Sequence, residues 1–128
     1  MRKYGNKKVI IDGITFDSRK EARRFRELQL LERAGEIHGL ELQRVFELIP
    51  AQTEEVLTGE VYKRGEKKGQ QKTKVICVEK SVTYRADFCY YLKDGTFIVE
   101  DTKGIRTKDF IIKRKLMLYI LGIKIKEI

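Results

Sequence analysis

The sequence predicts an α/β protein in which a central mixed sheet is flanked by two helices and preceded by an N-terminal hairpin. Three observations predict this class. Residues 19–34 and 107–121 have apolar side chains at helical spacing, strand-like runs lie on both sides of each segment, and an Asp-Gly turn precedes the first. Because 128 residues can bury one core but not two independent ones, we expect a single domain over residues 1–128.

The first third of the chain predicts a hairpin, a helix and one or two strands. Asp12-Gly13 separates two short β-prone runs, which is a strong hairpin signal. The helix is predicted over 19–34, because Gly35 follows the apolar pattern as a C-terminal stop. Residues 36–50 alternate in apolar character and predict the strands.

The middle of the chain predicts a basic, flexible loop over residues 51–74, where neither the helical nor the strand period is present. Its later part has six basic residues against Glu66, and these are Lys63, Arg64, Lys67, Lys68, Lys72 and Lys74. The remaining predicted elements are strands over 75–79, 81–92, 96–102 and 123–128 and a helix over 107–121.

The charge balance favours a polyanionic partner. Lys and Arg number 28 against 19 Asp and Glu, a net charge of +9, and nucleic acid is such a partner, although charge of this size also serves solubility. No apolar run approaches the length that spans a bilayer, and the N-terminus lacks the apolar stretch of a signal peptide. We therefore expect a cytoplasmic protein.

The cysteines and the histidine indicate no catalytic or metal centre of their own. Cys77 and Cys89 lie in apolar, strand-like surroundings, so we expect both to be small buried hydrophobic residues. His38 is the single histidine of the chain, which excludes a histidine triad and predicts a local surface or core role.

Acidic residues on two neighbouring predicted strands are the candidate functional residues. If residues 93–95 form a three-residue loop, paired residue numbers sum to 188, so Asp87 faces Asp101 while Glu100 lies on the other face. A two-residue Asp-Gly turn would give a sum of 189 and separate the two acids. In the first register Arg85 faces Lys103, and the two carboxylates are close enough to share one divalent cation.

Four motifs carry a resemblance to a known superfamily: Lys-Tyr-Gly-Asn at 3–6, Ser-Arg-Lys-Glu-Ala at 18–22, Ala-Asp-Phe at 86–88 and Glu-Asp-Thr-Lys-Gly at 100–104. With this order of elements the chain resembles the PD-(D/E)XK nucleases. It is especially similar to a small, largely phage-encoded family of uncharacterised proteins, and it also resembles Holliday-junction resolvases. The resemblance implies a restriction-endonuclease-like core and, for a phage protein, the host cytoplasm. Two departures are Tyr84-Arg85-Ala86 before Asp87, where the superfamily name has a proline, and Asp101 where Glu is common.

The resemblance also implies the roles of the site residues. Asp87 and Asp101, with the Thr102 carbonyl, would bind Mg²⁺ or Mn²⁺, and Lys103 would orient the attacking water or stabilise developing charge. Glu21, an acid of the first helix, would be a fourth catalytic residue and a further metal ligand. Its alternative role is structural, because Ser18 and Glu21 have the spacing of a capping box. Gln43 is a further candidate for the same cleft.

Clusters of basic residues are candidates for binding the DNA backbone. They lie in the N-terminal arm, in the predicted loop and around the second helix, where Lys113 is expected to point back toward the active-site strands. The residues are Lys7, Lys8, Lys63, Arg64, Lys67, Lys68, Lys72, Arg106, Lys108 and Lys113.

Three functional hypotheses remain open. The first is a metal-dependent DNA endonuclease. The resemblance to Holliday-junction resolvases implies branched recombination or replication intermediates as its substrate, and junction cutting would require two active sites, hence a homodimer. The second is a nucleic-acid-binding module of phage replication, recombination or packaging that does not cleave. The third is a basic interaction protein whose acids are structural.

Overall fold

The structure, a computed structural model, describes residues 7–128, so the Lys-Tyr-Gly-Asn motif at 3–6 lies outside the described residues. The chain divides into two compact units. The first contains the described residues up to Phe46 and again from Tyr84 to Ile128, and the second contains Glu47–Thr83. Among the described residues, no helix is long and apolar enough to cross a membrane.

Ten strands and two helices make up the described chain. In chain order they are β1 (Val9–Ile11), β2 (Ile14–Phe16), α1 (Arg19–Arg33), β3 (Ile37–Leu42), β4 (Val45–Ile49), β5 (Gln52–Val61), β6 (Gln71–Glu79), β7 (Val82–Arg85), β8 (Phe88–Leu92), β9 (Phe97–Asp101), α2 (Lys108–Leu121) and β10 (Lys126–Glu127).

A four-stranded mixed sheet organises the first unit, with strand order β10-β9-β8-β3. β3, β8 and β9 pair in antiparallel fashion, whereas β10 runs parallel to β9. The predicted α/β class with a mixed sheet is confirmed, although the strands form several small sheets. The predicted N-terminal hairpin is also confirmed, because β1 pairs with β2 across a turn in which Asp12 and Gly13 have φ angles of 51° and 78°.

Both predicted helices form, and their ends follow local capping chemistry. Ser18 Oγ accepts a hydrogen bond from a backbone amide at the start of α1, and Thr107 does the same for α2. Gly35 follows α1 with a φ of 76°, and Gly122 ends α2 with a φ of 67°, a left-handed conformation that costs glycine little.

The main apolar core lies between α1, the N-terminal hairpin and one face of the sheet. Phe16, Phe25 and Leu28 pack there with Phe88 and Tyr90, and all five are buried. Because successive side chains of a strand point to opposite faces, Cys89 and Val99 belong to the other face of the sheet. The expectation of a buried Cys89 is confirmed.

One buried ionic network joins α1 to β9. Glu100 has an exposure of 0 % and accepts two hydrogen bonds from the Arg24 guanidinium, at 2.8 and 2.6 Å, and a third from the Tyr90 hydroxyl. Arg24 also donates to the exposed Glu27 at 2.8 Å. These partners make the burial of the Glu100 carboxylate tolerable.

The second unit contains the antiparallel hairpin of β5 and β6, whose register pairs Val56 with Lys74 and Leu57 with Thr73. The predicted flexible loop over 51–74 is therefore wrong for most of its length. Nearly every side chain of the hairpin is exposed, so neither face needs an apolar row and the strand period is lost from the sequence. Cys77 lies exposed on β6, which corrects the expectation that it is buried.

We predict that Arg24→Ala lowers the free energy of unfolding by about 3 kcal/mol, because it leaves the buried Glu100 carboxylate without its cation. Urea denaturation at pH 7 measures this loss. Arg26→Ala is the matched control, since Arg26 is exposed on the same helix. Equal losses in the two variants would show that the buried ion pair does not stabilise the fold.

Candidate active site

The predicted strand register is confirmed. Phe88 pairs with Glu100, and Tyr90 pairs with Ile98, so the residue numbers of each pair sum to 188. The loop has three residues, with Gly95 at a φ of 89°, as the preferred register requires. Asp87 and Asp101 thus lie one residue beyond the last pair, at the same end of the β8-β9 ladder.

All four predicted catalytic residues line one pocket of about 350 Å³ in the first unit. Asp87 and Asp101 come from the sheet, Glu21 from the first turn of α1, and Lys103 from the segment after β9. The pocket wall is completed by Asp17, Ser18, Thr102, Gly104, Ile105 and Thr107. The fold thus brings together residues up to 82 positions apart in the sequence, from Glu21 to Lys103. The sequence motifs alone do not require this proximity.

Asp101 is the most unusual residue of the pocket, because it has an exposure of 0 % and only part of its carboxylate is paired. Its Oδ2 accepts a hydrogen bond from the Tyr84 hydroxyl, whereas its Oδ1 has no hydrogen-bond partner in the described part of the chain. The Lys103 ammonium lies 3.9 Å from that oxygen. A buried carboxylate oxygen without a hydrogen bond is costly, and the Lys103 ammonium compensates its charge only from beyond hydrogen-bond distance.

Burial, and secondarily the charge of Asp87, raise the pKa of Asp101 to about 6. The Tyr84 hydrogen bond and the Lys103 charge oppose this shift. The carboxylate is therefore ionised at neutral pH, but at a cost that a cation in the pocket would reduce.

Hydrogen bonds from Thr102, the residue after β9, orient the Asp87 side chain. One of its carboxylate oxygens, Oδ2, accepts hydrogen bonds of 2.8 Å from both the backbone amide and the hydroxyl of Thr102. These bonds also orient Thr102, whose carbonyl is the predicted third metal ligand and which is part of the pocket wall. Asp87 and Asp101 are thereby presented to the pocket from adjacent strands.

Glu21 is buried and forms only half of the predicted capping box. Its amide donates to Ser18 Oγ at 3.1 Å, but no reciprocal bond to the Ser18 amide is present among the described residues. Its carboxylate instead accepts a hydrogen bond of 3.2 Å from the Gln43 side chain. Burial, followed by the charges of Asp87 and Asp17, raises the pKa of Glu21 to about 7. The Glu21 carboxylate therefore interacts electrostatically with the other acids of the pocket.

Gln43 supports the site through both its backbone and its side chain. Its amide donates to the Asp87 carbonyl at 3.2 Å, while its side chain reaches Glu21. Its φ of 56° is left-handed, which is costly for a residue with a side chain. Gln43 is not among the residues that line the pocket, but it contacts Glu21, which is.

Sequence reasoning missed Tyr84 and the arrangement of the two helix N-termini. The bond from Tyr84 joins β7 to β9, and no local spacing signals it. The N-cap residues Ser18 and Thr107 both line the pocket, so the positive ends of α1 and α2 face it. Together with Lys103, they offset part of the negative charge of the carboxylates and favour an anion there.

The donor set fits a hard divalent cation only in part. Within residues 7–128, no group of three or more His, Cys, Asp or Glu could hold a metal ion. Mg²⁺, however, is commonly held by one or two carboxylates and completes its coordination with water and substrate phosphate. Asp87, Asp101 and the Thr102 carbonyl supply oxygen donors of this kind, and the unpaired Asp101 Oδ1 is consistent with such an ion.

The predicted phosphate-binding residues of the first unit are mostly exposed. Lys7, Lys8 and Lys108 are exposed, whereas Arg106 donates to Glu127 at 2.7 Å. Lys113 is half-buried on α2 and is not among the residues that line the pocket, so its predicted approach to the active-site strands is not observed. The other candidates lie in the second unit, around the turn of the β5-β6 hairpin.

We predict that Glu21→Gln stabilises the metal-free protein by about 2 kcal/mol at pH 8. The pKa of Glu21 is raised on folding from 4.5 to about 7, so the folded state holds the extra proton and stability falls as pH rises through this window. The gain should disappear below about pH 4.5. Urea denaturation in EDTA between pH 4 and 8 measures it, and a gain independent of pH would contradict the assignment.

The comparisons with known proteins identify a family. No curated protein and no solved structure matches the chain. The family model described as "Protein of unknown function (DUF1064)" matches residues 1–124. Because this match spans nearly the whole sequence, the chain belongs to the DUF1064 family.

Proposed function

We propose that the chain is a metal-dependent DNA endonuclease that hydrolyses phosphodiester bonds. One observation carries the proposal: Oδ1 of Asp101, which is buried and has no hydrogen bond in the described part of the chain, lies in a pocket that also contains Asp87, Glu21 and Lys103. Two carboxylates, a third acid and a lysine at one pocket are the groups that metal-assisted phosphodiester hydrolysis needs. In this proposal Asp87 and Asp101, with the Thr102 carbonyl, hold Mg²⁺ or Mn²⁺.

Each residue then has a distinct task. The bound cation would acidify a water molecule and offset the charge of the reacting phosphate. Lys103 orients the attacking water or stabilises the developing negative charge, since its ammonium lies 3.9 Å from Asp101 and lines the pocket. Glu21, with its pKa raised to about 7, is suited to exchange a proton near neutral pH.

The helix N-termini support phosphate as the group that enters the pocket. The first-turn amides of α1 and α2 that remain unpaired within each helix are donors for an anion. Ser18 and Thr107 place both of these ends at the pocket wall. A phosphate bound there would be attracted by the amides, by Lys103 and by the cation, which together would offset its repulsion by the carboxylates.

The order of elements supports a restriction-endonuclease-like core. A helix that carries an acid precedes antiparallel strands that carry Asp87 and then Asp101 with Lys103, and a second helix leads to a strand parallel to β9. This is the arrangement that the resemblance to PD-(D/E)XK nucleases implies. Branched DNA as the substrate and a homodimer as the cutting unit are finer parts of the same proposal.

A DNA-binding module without turnover is the second candidate. It is favoured by the absence of a three-acid metal group among the described residues. In this case Asp87 and Asp101 would hold a single weakly bound cation, and that cation would position a phosphate without cleavage. The two candidates differ in one outcome, which is metal-dependent strand breakage.

We predict that the wild-type protein cleaves DNA in Mg²⁺ or Mn²⁺ but not in EDTA. Asp87→Asn, Asp101→Asn and Lys103→Gln should each lower the rate by about 100-fold or more, because the first two remove a ligand of the metal ion and the third removes the positive charge beside the reacting phosphate. Supercoiled plasmid, single strands and a four-way junction are the substrates, and gel electrophoresis is the measurement.

The matched control for these variants is Glu41→Gln, which removes a carboxylate exposed on β3. It should cleave as the wild type does. DNA binding with no cleavage by any of the proteins would favour the second candidate, and cleavage that survives Asp101→Asn would place the active site elsewhere.

We also predict that Mn²⁺ stabilises the wild-type protein in the absence of DNA. An excess of 100 times the dissociation constant would add about 2.7 kcal/mol to the free energy of unfolding. Thermal denaturation with increasing Mn²⁺ measures the shift, and Asp101→Asn should abolish it while Glu41→Gln should retain it. A wild type without any shift would remove the support for a metal held by Asp101.

A further inference from the structure

The β5-β6 hairpin has strongly separated charges along its length. Its tip, defined as residues 61–72, contains five basic residues against Glu66: Lys63, Arg64, Lys67, Lys68 and Lys72. The base, which comprises the rest of the second unit, contains two basic residues and five acids: Lys74 and Lys80 against Glu47, Glu54, Glu55, Glu60 and Glu79. Positive charge is thus concentrated at one end of a unit that is almost neutral as a whole.

The tip is an ordered turn with its own backbone hydrogen bonds. Tyr62 exchanges bonds with the returning strand, since its amide donates to Gln70 at 3.0 Å and its carbonyl accepts from Gly69 at 2.8 Å. Lys68 closes a tighter turn by donating to the Gly65 carbonyl at 3.1 Å. Gly65 and Gly69 have φ angles of 82° and 86°, which side chains rarely adopt. The basic residues are therefore presented in a defined arrangement.

Two lysine side chains of the tip lie over the ring of Tyr62. The ammonium groups of Lys67 and Lys72 lie 5.7 and 5.3 Å from the centre of the Tyr62 ring. Cation–π attraction favours each contact, but two ammonium groups over one ring repel each other. An anion bound at the tip would offset that repulsion. Because the two lysines cover the Tyr62 ring, the ring is not free to insert into an apolar surface.

We propose that this tip binds the phosphate backbone of DNA end-on, through Lys63, Arg64, Lys67 and Lys68, while the acidic base does not contact it. The proposal rests on the proposed function only in taking DNA as the partner. Lysine and arginine side chains neutralise phosphates without reading bases, so a basic tip on an acidic base directs only the tip toward the duplex. Val61 is the one large, exposed apolar residue at the tip, which disfavours insertion into a lipid surface.

The test compares two double variants of the full-length protein that remove the same charge from the same unit. Lys67→Gln/Lys68→Gln changes the tip, and Lys74→Gln/Lys80→Gln changes the base; all four lysines are exposed. Binding to a 20-base-pair duplex is measured by fluorescence anisotropy in EDTA at several salt concentrations, so that cleavage plays no part.

The tip variant should bind about tenfold or more weakly, and its slope of log affinity against log salt should fall by about 1.8, since each phosphate contact contributes about 0.9. The base variant should bind as the wild type does. Equal losses in both variants, no loss at the tip, or no DNA binding by the wild type would overturn the proposal. So would loss by the tip variant of binding to phosphatidylserine vesicles with DNA binding unchanged.

The nuclease proposal is tested separately, by the cleavage assay in Mg²⁺ or Mn²⁺. If the tip variant loses duplex binding in EDTA as expected but the wild type never cleaves, the tip proposal stands and the proposed catalytic function fails.

Discussion

The burial of two consecutive acids on opposite faces of β9 is the constraint on which the rest of the first unit depends. Glu100 and Asp101 both have an exposure of 0 %, and a buried carboxylate needs a compensating partner. Glu100 obtains one from Arg24, which requires α1 to pack over that face of the sheet. Glu21 lies three residues before Arg24 on the same side of the helix, so the ion pair also directs Glu21 toward the end of β9. The structural acid thereby positions a candidate functional acid.

The two acids are treated differently by their surroundings. Glu100 accepts three hydrogen bonds, whereas Asp101 accepts one and retains an oxygen without a hydrogen bond, 3.9 Å from the Lys103 ammonium. Raised pKa values for Asp101 and Glu21 are the electrostatic consequence. A fold optimised for stability alone would pair these groups as it pairs Glu100. Local costs of this kind are expected at a site that awaits a charged ligand.

The features that could be predicted from the sequence are those set by interactions between residues close together in the chain. Gly95 requires a left-handed conformation, so the three-residue loop and the pairing that follows from it could be inferred, including the separation of Glu100 from Asp101. Helix ends were equally predictable because Ser18, Thr107, Gly35 and Gly122 act on their own neighbours. Contacts such as Tyr84 with Asp101 or Gln43 with Glu21 depend on packing between distant elements, and no local pattern specifies them.

The sequence did not predict the β5-β6 hairpin, and the physical reason is relevant to its proposed role. A strand reveals itself by alternation when one face is buried, and here both faces are exposed, so the side chains are not selected by packing. Packing therefore does not explain which side chains lie where along the hairpin. Charge is the property that varies along it, from acids at the base to lysines at the tip. Because the unit has seven basic and six acidic residues, its net charge conceals this separation. The distribution of charge, and not its sum, therefore indicates where a polyanion would bind.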